Sequence, residues 1–564
     1  MRDRDHASEA ALAAALGLPE ALAAVLIARG LTDPVAVRSF LNPPPVSLHD
    51  PFLLPDMDAA VDRVLQAREA KEPILVHGDY DADGVTSAAL LVRALSKLGL
   101  DIHYFIPHRF HDHYGLSQRA IGMATRKGLG LLISVDCGVS DHEMIAEARA
   151  GGTEVIVIDH HEPGETLPEG TLIVNPKRAD ATYPFKELTA VGLAYKFAVA
   201  LSSRLDIPEQ SVARAFLDLV AVGTVADVAP LVDENRAFCA AGLKLLPTTR
   251  KTGLRALMNI CELNGSLTAM DIAFRIAPRL NAVGRMGDAT EALELLLTDD
   301  EEQALRLALN LETLNRQRQR EQERIYQEAR RQAEQMLEEQ DCPALVLAGE
   351  EWHLGVVGIV ASKILEEFGR PAVVINEQAG LCRGSGRSMP GFHLANAFAA
   401  CSHLLERGGG HELAGGLTIS REQIPALRER LCELAADSLG PEDLRPRLDL
   451  DCDLSADEIT PDLVEGLRQL EPCGQENPSP LFLTRGLEVV SARQVGRENS
   501  HLKLTLGHGR RVFDAIGFGL GPELNWLRNQ SHIDLAHTPE FNEFNGNVGL
   551  QLRFTAIRAA ETGQ

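Results

Sequence analysis

His77-Gly78-Asp79-Tyr80-Asp81-Ala82-Asp83-Gly84 places one imidazole and three carboxylates within seven residues, directly after the apolar run Ile74-Leu75-Val76. An apolar run feeding an acidic turn that ends in glycine reads as a buried strand carrying a metal site at its end. Carboxylates packed this closely repel one another, so the cluster is costly unless divalent cations neutralise it. A solvated acidic loop is the plainer reading of an isolated Asp-x-Asp. The imidazole at the strand end and Gly84 opening the next helix favour the metal.

Three further segments bring ligand-type side chains. Asp136 follows Leu131–Val135, Asp159-His160-His161 follow Glu154–Ile158, and Asp227 closes Gly223-Thr224-Val225-Ala226. Two divalent ions would balance the charge of Asp81, Asp83, Asp136 and Asp227. Mixed Asp/His ligation without thiolate favours Mn²⁺ or Mg²⁺ over Fe or Zn. Two such ions roughly 3.5–4 Å apart can activate water and hold a phosphoryl group for in-line attack. Each piece alone is ambiguous, and Asp227 suits a helix cap as well as a ligand. Their order and placement at strand ends carry the reading.

The elements that must position these groups follow from the hydrophobic pattern. Apolar runs at 74–76, 131–135 and 154–158 alternate with helical stretches at 84–98 and 139–150. That alternation predicts parallel strands with crossover helices, and ligands gather at the carboxyl ends of such strands. Residues 190–225 read as apolar helix. Residues 298–340 read as one long polar helix, started by a capping box at Thr298–Glu301 and bridging two lobes. A second α/β unit has strands at 344–347 and 372–375 and a helix opening at Gly355. Two Gly-rich segments, 383–388 and 408–416, read as loops. From about 447, short alternating runs such as His501–Leu506 predict a small β-barrel.

The chain has 564 residues, enough for about three or four domains, and is 45% hydrophobic and 24% charged, as a globular protein is. No apolar run is long enough for a transmembrane helix, so no membrane role is expected. The Ala/Leu-rich opening is interrupted by Glu9, Glu20 and Arg29. It reads as one or two amphipathic helices of a mature cytoplasmic protein rather than a signal peptide. The nine cysteines include no Cys-x-x-Cys pair, which fits a reducing compartment and gives no thiolate zinc site. Cys137 reads as a packing residue. A formal net charge of −25 excludes nucleic-acid binding through the whole surface. It leaves room for a local patch at 485–511, where Arg485, Arg493, Arg497, Lys503, Arg510 and Arg511 outnumber Glu488 and Glu498.

VHGDYDADGVTSAALL, SVDCGVS, VIDHHEPG and AVGTVADVAPL, in that order, resemble the four motifs of the DHH phosphoesterase superfamily. APRLNAVGRM, EEWHLGVVGIVASKI, GSGRSMPGFHL, GGGHELAGGL and LEPCGQENPSPLF extend the similarity through nearly the whole chain, to the superfamily's RecJ family of single-strand-specific 5′→3′ exonucleases. The resemblance implies an α/β fold. Its parallel-sheet DHH core is joined by a long helix to a DHH-associated α/β domain, with a C-terminal OB-like β-barrel. The implied division is a helical segment over 1–50, the DHH domain over 51–235 and its helical extension over 236–297. The connecting helix over 298–340, the DHH-associated domain over 341–440 and the barrel over 447–564 follow.

The resemblance also implies roles. His77, Asp81 and Asp136 would hold one ion, and Asp83, Asp136, His160 and Asp227 the other, with Asp136 bridging. Asp79 would stand behind the ligands or orient the turn, and His161 would face the phosphate or the leaving oxygen. Ser385, Arg387, Gly409, Gly410 and the helix after them, with His411, would bind phosphate. Arg109 and Arg279 are further phosphate candidates that suit salt bridges equally well. His411 has a purely structural alternative. Phe513, Phe518 and Trp526 are stacking candidates, with core packing the favoured role. The implied activity is hydrolysis of single-stranded DNA to 5′ mononucleotides with two Mn²⁺ or Mg²⁺ ions, in DNA repair and recombination. Implied partners are a single-strand-binding protein and a repair helicase. Two departures stand out: His113 occupies a family glycine position, and the stretch Gly408-Gly409-Gly410-His411-Glu412 has Gly and Glu where Phe and Ala are more familiar. A small-substrate phosphoesterase and a non-catalytic scaffold are the competing readings. The tail after 447 argues against the first, and the complete set of ligand-type residues against the second.

Overall fold

The three apolar runs at 74–76, 131–135 and 154–158 are neighbours in one parallel sheet, in a computed structural model that describes residues 4–44, 48–112, 114–339, 342–378, 380–544 and 547–560. His113 lies outside the described residues. The sheet comprises β1 (Ile74–His77), β2 (Ile102–Phe105), β3 (Leu131–Val135), β4 (Glu154–Ile158) and β5 (Leu172–Val174), in the order β2-β1-β3-β4-β5. Every pair is parallel. Helices cover both faces, which is why β1, β3 and β4 read as continuous apolar runs. The half-buried Ile-His-Tyr-Phe of β2 and the three residues of β5 carry no such signal. Register sets Ser134 beside His77 and Ile158 beside Val135, so the acidic segments leave the sheet side by side. Helices Ala82–Lys97, Ala190–Ser203 and Glu209–Ala226 pack over one face through Val85, Ala89, Leu193, Phe197, Leu217 and Val220.

Helix Glu301–Glu339 has 39 residues, roughly 58 Å at 1.5 Å per residue. Leu307 and Leu311 join the core around the first sheet, whereas Ile325, Ala329 and Ala333 pack against Trp352, Val356 and Val360. The helix therefore bridges two cores. Its start differs from the expected capping box. Asp300 Oδ1 accepts from Gln303 N (2.6 Å), while Thr298 Oγ1 accepts from Asp300 N (3.2 Å) and donates to Gln303 Oε1 (2.7 Å).

The second sheet contains β6 (Leu345–Glu350), β7 (Ala372–Glu377), β8 (Leu381–Arg387), β9 (Leu405–Gly410) and β10 (Ala414–Ser420), ordered β6-β7-β8-β10-β9. Both Gly-rich segments are thus mainly strand, not loop. Their glycines answer to close packing: a Cβ on Gly384 would stand 2.8 Å from Ile375 Cγ1, and one on Gly386 would stand 2.8 Å from Leu394 Cδ2. No helix follows Gly409-Gly410 directly; β9 turns back into β10.

The barrel consists of β11 (Cys452–Asp453), β12 (Phe482–Val495), β13 (His501–His508), β14 (Arg511–Gly517), β15 (His532–Phe544) and β16 (Asn547–Ala559). β12 pairs with both β13 and β15, closing the ring. The first helices, His6–Leu16 and Glu20–Ala28, pack against the barrel: Leu22, Val25 and Leu26 share a core with Phe482, Leu504 and Ile533. Among the described residues no single helix is long and apolar enough to cross a membrane. All nine cysteines are free and buried.

Buried Arg236 ties these parts together. Its guanidinium donates to the carbonyls of Phe40 (2.7 Å), Leu470 (2.9 Å), Pro472 (3.1 Å), Gln469 (3.2 Å) and Glu471 (3.1 Å). It also lies 4.0 Å from the centroid of the Phe40 ring. The LEPCGQENPSPLF segment is thereby clamped to the lobe of the first sheet.

Candidate metal centre and the facing cleft

Three elements deliver four carboxylates to one point beyond the carboxyl ends of β1, β3 and β4. Asp81 caps helix Ala82–Lys97, its Oδ1 accepting from Asp83 N and Gly84 N, both at 3.0 Å. Asp83 reaches the start of helix Ala190–Ser203, where its two oxygens accept from Ala190 N (2.8 Å) and Val191 N (2.9 Å). Asp136 leaves β3 with φ +65°, a left-handed conformation that is strained for a non-glycine residue and concentrates at functional sites. Asp227 caps the end of helix Glu209–Ala226. A carboxylate gains nothing from the negative end of a helix dipole, so Asp227 needs a cationic partner elsewhere.

The turn is set by backbone contact. A Cβ on Gly84 would stand 2.6 Å from Asp79 N and 2.7 Å from Asp79 O. Asn281 Oδ1 accepts from Ala82 N (2.8 Å), and Gly284 abuts the Tyr80 carbonyl. The APRLNAVGRM helix therefore buttresses the acidic turn.

Three overlapping groups place their ligand atoms within 4.8 Å of one another: Asp79/Asp81/Asp136, Asp83/His160/Asp227 and Asp136/His160/His161. Asp136 links two of them. His160 Nε2 lies 3.2 Å from Asp136 Oδ1 and 4.0 Å from Asp83 Oδ2. Burial pushes Asp79, Asp83 and Asp136 well above the usual carboxylate range, and their acidic neighbours push them further. Asp227 rises to about 7, through burial and then Asp81. Burial, with His161 beside it, lowers His160 to about 4. This donor set fits divalent cations. Asp79 Oδ1 and His160 Nε2 are buried with no hydrogen-bond partner, and repulsion among the carboxylates is what cations would relieve.

His161 stands apart electrostatically. Its Nδ1 is 2.7 Å from Asp159 Oδ1. Burial works against the charged ring, but Asp159 outweighs it and lifts His161 to about 9. Asp159 is itself held low by that bond and accepts from Val139 N (3.0 Å). Tyr114 Oη lies 3.1 Å from His161 Nε2.

His77, expected as a ligand, lies outside the three groups. Its Nε2 accepts from Ser117 N (3.2 Å), its Nδ1 lies 3.6 Å from Cys137 Sγ, and its ring stacks on Phe105. Packing of the ring into the sheet keeps it out of every candidate group, and Asp79 stands there instead.

Across from the turn is a cavity of about 450 Å³ whose lining includes Tyr80, Arg109, Arg383, Ser385, Arg407 and Gly409. Arg109 lies over the Tyr80 ring, 4.8 Å from its centroid. Arg387 follows on the same strand face as Arg383 and Ser385, and burial with nearby Arg109 lowers its pKa. Arg285, also buried, is pushed down to about 10, with Arg109, Arg318 and Arg387 adding to the burial and Asp81 opposing it. Arg279 is not in the cavity: it pairs with Glu312 (2.7 Å) and donates to Arg275 O (2.6 Å). Gly410 ends β9 and exposed His411 opens the turn to β10; neither lines the cavity, and His411 N donates to Ala414 O. Arg383 and Arg407 were not anticipated. The alternation Arg383-x-Ser385-x-Arg387 is the strand-period signal that would have revealed Arg383.

The barrel patch is partly spent on structure. Arg485 pairs with Asp453 (3.3 Å), Lys503 with Asp514 (3.6 Å), and Arg511 donates to Ile459 O (2.8 Å). Arg493 and Arg510 are exposed. Phe513 is core, as favoured, but Phe518 is 59% and Trp526 37% exposed.

Three family models match the chain: the DHH family N-terminal domain over residues 73–224, the DHHA1 domain over 341–437 and the RecJ OB domain over 450–556. The single-stranded-DNA-specific exonuclease RecJ of Bacillus subtilis is 37% identical, covering 96% of this chain and 68% of that one. The protein of the same name from Escherichia coli is 36% identical, covering 88% and 89%. The crystal structure of Thermus thermophilus RecJ in complex with Mn²⁺ superposes with a TM-score of 0.85 at 33% identity, over all of this chain and 79% of that one. Likeness of this extent, spanning catalytic core, associated domain and barrel, makes the chain a member of the RecJ family.

Proposed function

We propose that the protein is a metal-dependent exonuclease that removes 5′ mononucleotides from single-stranded DNA. The observation that carries this reading is the facing pair: a buried Asp/His cluster opposite a cationic, glycine-rich strand face. The relatives' name, and the manganese and magnesium of the Thermus thermophilus structures, support it.

Asp79, Asp81 and Asp136 would hold one Mn²⁺ or Mg²⁺, and Asp83, Asp136, His160 and Asp227 the second. Bound there, the ions would lower the pKa of water and screen the phosphoryl charge. His161, held at Nδ1 by Asp159, presents Nε2 to a phosphoryl or leaving oxygen. Arg109, Arg383, Arg387, Arg407 and Ser385, with the Gly409 backbone, would grip a terminal 5′ phosphate. Arginine suits such contacts, and glycine strands admit close approach. Holding that terminus one nucleotide from the carboxylates gives 5′→3′ polarity. The work belongs to repair and recombination in the cytoplasm. A single-strand-binding protein would present the substrate, and a helicase would unwind it.

The test is end-labelled single- and double-stranded DNA and RNA, with and without a 5′ phosphate, in Mn²⁺, Mg²⁺ or EDTA. Metal-dependent release of 5′ mononucleotides from single-stranded DNA alone is expected; release from the 3′ end would contradict the reading. Gly84→Ala should slow hydrolysis by about 10²-fold, because its Cβ displaces the Asp79 backbone and misplacement of about 1 Å costs that much. An unchanged initial rate would mean that the turn relaxes freely. Arg493→Glu with Arg510→Glu should weaken binding of long strands about tenfold at moderate salt and leave dinucleotide hydrolysis unaltered. Equal effects on both substrates in filter-binding and rate measurements would remove the barrel from the strand path.

A further inference from the structure

The helices that bring carboxylates to the metal centre carry a second, cationic site at their far ends. Asp83 and Lys97 stand at opposite ends of helix Ala82–Lys97, roughly 21 Å apart along its axis. Near Lys97 opens a cavity of about 580 Å³, lined among others by Arg93, Lys97, Arg214, Asp218, Arg250 and Lys251. It shares no lining residue with the cleft. Five cations face one carboxylate in a chain whose formal charge is −25.

That carboxylate is fully engaged. Asp218 accepts from Lys251 Nζ (2.6 Å), Thr249 Oγ1 (2.6 Å) and Leu219 N (2.8 Å). Lys251, 8% exposed, also donates to Ala215 O (2.5 Å), which leaves its third ammonium proton without a partner. Arg93 is tied to the carbonyls of Leu296 and Leu297 and to Asp299. Exposed Arg214 and Arg250 make no hydrogen bond or ion pair among the described residues, and exposed Lys97 touches only the Phe216 ring, 5.9 Å from its centroid. Lys251 Nζ lies 5.7 Å from the same centroid. Burial lowers the Lys251 pKa, and Arg93 and Lys97 add to the lowering. Helix Thr252–Ile260 starts at this cavity without a side-chain cap, adding partial positive charge. Lys97, Arg214 and Arg250, gathered with no carboxylate paired to them, carry a repulsion that a bound anion would remove.

We infer that this cavity binds a compact polyphosphate, the di- or triphosphate group of a small molecule. Three uncompensated cations and the free Lys251 proton match such a group in charge, and the volume is that of a small-ligand pocket. A nucleic-acid strand fits less well. Beside the cavity, exposed Asp299 and Glu301 pair with Arg93 and Arg255, and a strand running past them would be repelled.

The test is calorimetric titration of inorganic triphosphate into the full-length protein in EDTA. Arg214→Glu with Arg250→Glu should weaken binding at least tenfold with an unchanged melting temperature, because neither side chain has a partner to lose. Lys97→Glu should act in the same direction. Arg387→Ala, in the cleft, should leave this binding intact. Absence of binding by the wild type at millimolar triphosphate overturns the inference. So does binding abolished by Arg387→Ala but retained in the cavity variants. An equal loss of affinity for a single-stranded oligonucleotide in the cavity variants would make the cavity part of the strand path and overturn it as well. None of these outcomes depends on nuclease activity, so failure here is distinguishable from failure of the functional reading.

Discussion

Asp136→Asn is expected to lower hydrolysis of single-stranded DNA by about 10³-fold or more while leaving the chain folded. The carboxylate of Asp136 belongs to two of the three ligand groups, so its loss weakens both ion sites at once. Removing one group that stabilises developing charge already costs enzymes about 10²–10³-fold. Asparagine is the informative replacement because the residue sits at φ +65°, which Asn tolerates and Ala does not. The metal-free variant should melt at a higher temperature than the metal-free wild type, since burial and neighbouring acids oppose the charge on Asp136. Conversely, the rise in melting temperature that Mn²⁺ confers on the wild type by mass action should largely disappear. Rates and melting curves, each with and without Mn²⁺, check the pair. Hydrolysis at the wild-type rate would remove Asp136 from the centre.

Arg236→Met is expected to cost on the order of 4 kcal/mol or more in stability and to loosen the barrel from the catalytic lobe. The guanidinium serves five backbone carbonyls; those of Leu470 and Pro472 also accept from Asn477 Nδ2 (2.8 Å each), which leaves those of Phe40, Gln469 and Glu471 most dependent on it. Leaving one buried acceptor unsatisfied costs about 1–3 kcal/mol, and several are left here. Lysine should not rescue, because an ammonium offers three donors and cannot reproduce the planar fork. Limited proteolysis should then cut near residues 440–480, and affinity for long strands should fall more than dinucleotide hydrolysis does. A variant as stable and as protease-resistant as the wild type would show that water replaces the clamp. Removing the tail after 447 would disturb more than the barrel. The first helices share the barrel's core and would be exposed with it.

Sequence periodicity and motif order revealed the strand ends that matter, because parallel strands buried on both faces leave uninterrupted apolar runs. Asp81, Asp83, Asp136, His160 and Asp227 converge as expected, since each follows such a run or ends a buried helix. That Asp79 rather than His77 falls within the close acidic groups was not legible. Both precede the same turn two residues apart, and only the packing of the ring against Phe105 and Ser117 separates them. Arg279 takes its salt-bridge alternative, and its partner Glu312 lies on the connecting helix, a contact that no local pattern encodes. The Gly-rich segments misled. Glycine there answers to side chains of a neighbouring layer, so composition suggested loops where the backbone is strand. Arg236 gave no signal at all, since its five acceptors are backbone atoms far along the chain.

Anomalous diffraction from crystals soaked in Mn²⁺ tests the central claim most directly. Two peaks are predicted: one bounded by Asp79, Asp81 and Asp136, the other by Asp83, Asp136, His160 and Asp227. His77 should coordinate neither. A single peak, or a manganese ion ligated by His77, would contradict the account.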